Sequence, residues 1–97
     1  MNPKYFVEPI VATTYKLTVD SCENCPKIVA TFENVPEEKL SDMLFYATRG
    51  FRSIEVINNQ TGEVAYSRYV NCELFENEVS YNYGECLDYM KHILTKN

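Results

Sequence analysis

The sequence predicts an α+β fold: a four-stranded, mostly antiparallel sheet with two helices on one face, in the order ββαββα. Three observations lead there. Residues 13 to 19 alternate polar and apolar side chains, the run Asn58 to Gly62 is a turn between two strand-like segments, and two further segments carry apolar residues at helical spacing.

The first strand puts Tyr15, Leu17 and Val19 on one face and Thr14, Lys16 and Thr18 on the other, the pattern of a half-buried strand. Residues 27 to 33 repeat it with Ile28, Ala30 and Phe32, so Asp20 to Pro26 is the connecting hairpin loop. Pro36 then suits a first helical position and Glu37 and Glu38 suit the positive end of a helix, with Leu40, Met43, Leu44 and Ala47 as its apolar stripe and Gly50 as its end. A second hairpin follows, Phe51 to Ile57 and Glu63 to Val70, joined by the asparagines and glycine of Asn58 to Gly62. In this setting Asn59, Gln60 and Thr61, a glycosylation triplet in form, read as turn chemistry. Glu73 to Tyr81 is irregular. From Asn82 a last helix begins, with Glu85 placed to complete a capping box and Leu87, Met90, Ile93 and Leu94 as its stripe. Residues 1 to 12 offer a further short edge strand through Tyr5, Phe6 and Val7.

Ninety-seven residues without a linker, repeat or low-complexity tract make one domain, residues 1-97, and 45% hydrophobic with 24% charged residues is ordinary globular usage. A domain of this size buries only about 60 to 65% of its unfolded surface, so a metal or disulfide staple matters to its stability. The N-terminus lacks the basic and apolar regions of a secretory signal, and no segment is long enough to span a bilayer. Cytoplasmic residence is therefore expected, and in a reducing compartment four cysteines point to free thiols or a metal site rather than disulfides. A net charge of −5 and a pI near 4.8 have the wrong sign for gripping phosphates, which disfavours direct nucleic-acid binding. Such a surface keeps a protein soluble, and it also steers association with a basic protein surface.

Cys22 and Cys25 have the spacing of a zinc knuckle, and topology brings the other two cysteines toward them. If their loop marks one end of the sheet, the second strand runs away from it and the first helix returns. The third strand runs away again, and the fourth comes back to deliver Cys72. The last helix then starts at the same end, with Cys86 in its first turn, where the helix dipole favours a thiolate. Cys22, Cys25, Cys72 and Cys86 can thus converge on one closed, structural zinc ion per chain. Two alternatives stay open: Cys72 and Cys86 as small buried apolar residues beside an exposed Cys22–Cys25 dithiol, or a redox pair. The redox reading is disfavoured because the motif lies between two strands, not at a strand-to-helix junction.

His92 stands six residues beyond Cys86, about 120° away around the helix, and reads as a surface residue. No phosphate-binding glycine loop, nucleophile elbow or helical metalloprotease motif occurs, so a non-enzymatic, binding role is expected. Glu73, Phe75, Glu76, Glu78, Tyr81 and Tyr83, with Tyr89 nearby, form an aromatic and acidic stretch suited to a protein interface. The same rings would also serve to cover the core of a chain without tryptophan.

Short length, the −5 charge, the lack of catalytic residues and the compact hairpin around Asn59, Gln60, Thr61, Gly62 and Glu63 extend over the whole chain. In these features it resembles the small acidic anti-CRISPR proteins with which phages inhibit Cas9. The resemblance implies a protein-binding inhibitor that docks on a basic surface of Cas9 in the host cytoplasm and blocks nucleic-acid binding or activation. It implies no small-molecule substrate, membrane or direct nucleic-acid contact. The alternative function is a zinc-ribbon-like adaptor or regulatory module, whose contact surface would lie close to Cys22 and Cys25.

Overall fold

The computed structural model describes residues 13–20, 29–70 and 82–96, apart from the side chain of Tyr83. The elements are β1 (Thr14–Asp20), β2 (Val29–Pro36), α1 (Glu37–Gly50), β3 (Ser53–Asn58), β4 (Val64–Tyr69) and α2 (Tyr83–Thr95), which is the ββαββα order of an α+β fold. The proposed edge strand in residues 1 to 12 lies outside the described residues.

All neighbouring strands are antiparallel, in the order β2-β1-β3-β4. β2 and β3 therefore run in the same direction with β1 between them, and α1 is the crossover that returns the chain from the end of one to the start of the other. The two-residue period of β1 survives intact: Leu17 and Val19 are fully buried, while Lys16, Thr18 and Asp20 on the opposite face are not. Opposite them stand Phe32 and Ala30 on β2 and Val56 and Ile54 on β3, so one face of the sheet is apolar from β2 to β3. Met43, Ala47, Cys86 and Met90 from the two helices close over that face together with Phe51.

β2 runs three residues beyond its expected end because a bulge absorbs a misfit. Between Tyr15 and Leu17 the register shifts, and Asn34 takes up the extra residue at φ 55°, a left-handed conformation that asparagine tolerates better than most residues. The shift restores Val35 to the buried face. Pro36 consequently closes β2 and caps α1 with extended backbone instead of opening the helix. With no side chain accepting from the first turn, Glu37 and Glu38 supply the negative charge at the positive end of α1.

The turn after β3 lies at the end of the sheet where β1 begins. The Asn58 side chain accepts from the backbone N–H of Gln60 (2.8 Å) and Thr61 (3.1 Å), and Gly62 takes φ 77° to bring the chain into β4. Asn59 is structural here. Its N–H donates to the Thr14 carbonyl at 3.0 Å and its side-chain amide donates to the Thr14 hydroxyl at 3.0 Å.

α2 lies antiparallel on α1. Asn82 caps it by accepting from the Glu85 N–H at 3.1 Å, as the capping motif predicts. At the other end the Lys39 ammonium, from the first turns of α1, donates to the carbonyls of Leu94 (3.1 Å) and Lys96, placing a cation at the negative pole of α2. β4 behaves differently: none of its residues joins the core, and Val64, Tyr66 and Tyr69 are exposed. Its ladder with β3 and the Arg68 guanidinium, which donates to the Thr48 carbonyl at 2.9 Å, hold it in place.

Candidate functional site

The register places four residues in one row across the sheet, Val29, Asp20, Ser53 and Tyr69 in spatial order. With strands about 4.8 Å apart, the row spans about 14 Å. Two backbone hydrogen bonds bind it further, from Arg52 N–H to the Asp20 carbonyl (3.1 Å) and from Val70 N–H to the Arg52 carbonyl (2.9 Å). This is the end of the sheet from which the chain leaves toward Cys22, returns from Cys25 and leaves again toward Cys72. Those three cysteines lie outside the described residues, as do Glu73, Phe75, Glu76, Glu78 and Tyr81 and the side chain of Tyr83.

Cys86 is described, and it sits at this same end, because α2 starts beside the last turn of α1. Its backbone N–H makes the first regular helical bond of α2, to the Asn82 carbonyl at 3.0 Å, and its thiol is 1% exposed within the core cluster. Burial pushes the thiol pKa up, the neighbouring Glu85 carboxylate adds to that, and the Arg49 guanidinium pulls the other way. Among the described residues no group of three metal-ligating side chains stands together.

The chain's three arginines, Arg49, Arg52 and Arg68, all belong to this end, in the last turn of α1, just before β3 and next to Tyr69. Arg52 is 4% exposed, and its guanidinium lies 5.0 Å from the centre of the Tyr69 ring. An otherwise acidic chain thus concentrates its arginine charge where the cysteine-bearing segments depart.

A second feature lies on the helix pair, away from the sheet. A hollow of about 400 Å³ opens between α1 and α2, lined by Asp42, Phe45, Tyr46, Tyr89, His92 and Ile93. Tyr46 and Tyr89 stack across the two helices with centroids 4.9 Å apart and planes at 24°, and Phe45 meets Tyr46 edge-on at 5.1 Å. The Arg49 guanidinium covers the Phe45 ring at 3.6 Å while donating to the Phe45 carbonyl at 2.8 Å. His92 is exposed on the rim, the surface position its spacing from Cys86 predicts.

Reading the sequence for cysteines and the Glu73 to Tyr83 stretch passes over this hollow, although a signal for it exists. Phe45 and Tyr46 fall beside the Leu40, Met43, Leu44 and Ala47 stripe, so α1 carries two large aromatic residues at the margin of its buried face. Comparison of the chain with protein-family models, with curated proteins and with solved structures finds no match in any of the three.

Proposed function

We propose that the chain is a non-enzymatic protein-binding domain whose cysteine end is stapled by one structural zinc ion on Cys22, Cys25, Cys72 and Cys86. The observation that carries this reading is the shared end: Asp20, Val29 and Tyr69 stand in one row, and Cys86 belongs to the same end of the molecule. Cys22 follows Asp20 by two residues, Cys25 precedes Val29 by four and Cys72 follows Tyr69 by three. Extended chain of about 7, 14 and 10 Å covers those separations, enough for thiolates to meet above a row of this width. The arginines favour the same chemistry. Four thiolates around a divalent ion leave two negative charges, which nearby guanidinium groups offset; at Cys86 burial and Glu85 hold the thiol protonated against the pull of Arg49, so the metal itself would have to displace that proton. A reducing, cytoplasmic setting would keep the thiols available to the metal.

The metal reading is tested by elemental analysis of protein purified without chelator, beside a variant with all four cysteines changed to serine. About one zinc per chain, lost with fold stability in the variant, is the expected result; no metal with an unchanged fold would overturn it. As to the partner, the −5 charge supports docking on a basic protein surface, with Cas9 as the specific expectation from the resemblance. Binding to Cas9 should weaken as ionic strength rises. Absent or salt-independent binding would remove Cas9 while leaving the metal site to its own test.

A further inference from the structure

We propose that the hollow between α1 and α2 docks a basic protein segment by taking up an arginine side chain against Tyr89 and Asp42. This rests on reading the chain as a protein-binding domain, but not on its holding a metal. Tyr89 is 51% exposed: Tyr46 stacks on one side of its ring, and the remaining surface faces solvent. Phe45 beside it is 47% exposed and already carries a guanidinium, that of Arg49, so this aromatic ledge holds a planar cation within the molecule itself. A partner's arginine laid on Tyr89 would repeat that contact one position further along the groove.

Charge selects the occupant. Asp42 is the acidic residue of the lining, and among the described residues its carboxylate has no hydrogen-bond or ion-pair partner. Lys39 and Lys96 flank the far end of the groove, where the Lys39 ammonium is engaged by the carbonyls that close α2. A second copy of the chain would bring another −5 against the first and is disfavoured, whereas the net charge of the whole chain attracts a basic segment; within the hollow that attraction falls to Asp42, against Arg49 on Phe45 and the lysines of the far end. The hollow is lined mostly by apolar surface from Phe45, Tyr46, Tyr89 and Ile93, with Asp42 and His92 as its polar groups, so it can cover the aliphatic stem of an arginine while Asp42 meets the guanidinium.

The test titrates the isotopically labelled full chain with a capped glycine–serine pentapeptide bearing one central arginine, and with the same peptide carrying uncharged citrulline. Amide shifts are expected at Asp42, Phe45, Tyr46, Tyr89 and His92, with the citrulline peptide about fivefold weaker or worse. Asp42→Asn should weaken the arginine peptide about threefold while leaving the helix and strand content unchanged, and Tyr89→Leu, which keeps an apolar side chain against Tyr46 but removes the ring face, should weaken it by a similar factor. Equal binding of the two peptides, shifts on the outer sheet face instead, or concentration-dependent shifts without peptide would each overturn the proposal. A chain that holds zinc but ignores the arginine peptide refutes the groove and spares the metal; a metal-free chain that binds the peptide does the reverse.

Discussion

Replacing Cys86 by valine separates a metal ligand from a core residue more cleanly than the usual serine change. The side chain is 1% exposed, in one buried cluster with Met43, Ala47 and Met90. If packing is its whole role, valine is a nearly volume-conserving apolar swap and costs less than about 1.5 kcal/mol. Serine would cost about 1 to 3 kcal/mol, because it leaves a hydroxyl in a site built for a weakly polar thiol. The order is then valine milder than serine. If Cys86 holds zinc, the two variants converge, since neither supplies a thiolate. Structural zinc contributes on the order of 10 kcal/mol to folding in small domains, comparable with the whole stability of a chain this long. Thermal unfolding followed by circular dichroism, with zinc content measured on the same samples, reads the difference. Packing alone predicts a fall in Tm of about 10 °C or less for Cys86→Val. Ligation predicts that both variants lose the ion and the cooperative transition together. A Cys86→Val protein that melts near the parent temperature with unchanged zinc content would refute ligation by Cys86.

Other outcomes follow from the fold. Leu17→Ala empties a fully buried position on the central strand and should cost about 2 to 5 kcal/mol in denaturant unfolding, whereas Thr18→Ala on the opposite face should cost far less. Gly62→Ala meets no atom within 4 Å, so its cost of about 1 kcal/mol comes from φ 77° alone; Gly62→Asn should recover part of it, and equal losses in both would point to another cause. Asn82→Ala removes the acceptor for Glu85 N–H and should destabilise by about 1 kcal/mol in the same assay. In the metal-free protein the folded state holds the Cys86 proton more tightly than the unfolded state, whose thiol titrates near 9.0. Stability from this group is complete below that value and is lost as pH rises through the higher folded pKa. Denaturant midpoints measured upward from pH 8 should therefore fall more steeply for the parent than for Cys86→Val, and parallel curves would contradict the assignment.

The strands and helices were legible because their patterns are local. Leu17 and Val19 announce a buried face by alternation alone, and Met43, Ala47 and Met90 fall on helical stripes that the core uses as predicted. The bulge at Asn34 was not legible: an extra residue in β2 is defined only against its partner, and nothing between Glu33 and Val35 signals where β1 will shift. Strand order was hidden for the same reason. Two hairpins joined by a helix can meet through several edges, and the choice of β1 against β3 depends on which faces pack beneath α1. For the candidate sites, spacing identified Cys22 with Cys25, and topology rather than spacing brought Cys86 to the same end. The groove escaped because it needs two helices at once: Tyr46 and Tyr89 are 43 positions apart in the chain and become one feature only by stacking.

The seating of α2 connects the two proposed sites. Among the described side chains of this helix Cys86 and Met90 are fully buried, Leu87, Ile93 and Leu94 pack partly buried against the same core, and the Tyr46–Tyr89 stack and the Lys39 cation at its C-terminal end add to its hold on α1. Tyr89 lies one turn from Cys86, and about 4.5 Å of helix rise separates their Cα atoms. Fixing Cys86 therefore limits how far Tyr89 can drift from Asp42, which belongs to the other helix. A metal at the cysteine end would then favour the groove without touching it, by lowering the ordering cost of binding an arginine there. Chelation should weaken the arginine peptide while leaving its shift pattern on the same residues, and Lys39→Met should act in the same direction from the opposite end of α2. Peptide affinity unchanged by chelation of a zinc-containing sample would show that Lys39, the ring stack and the packing of Leu87, Met90, Ile93 and Leu94 already seat the helix without the metal.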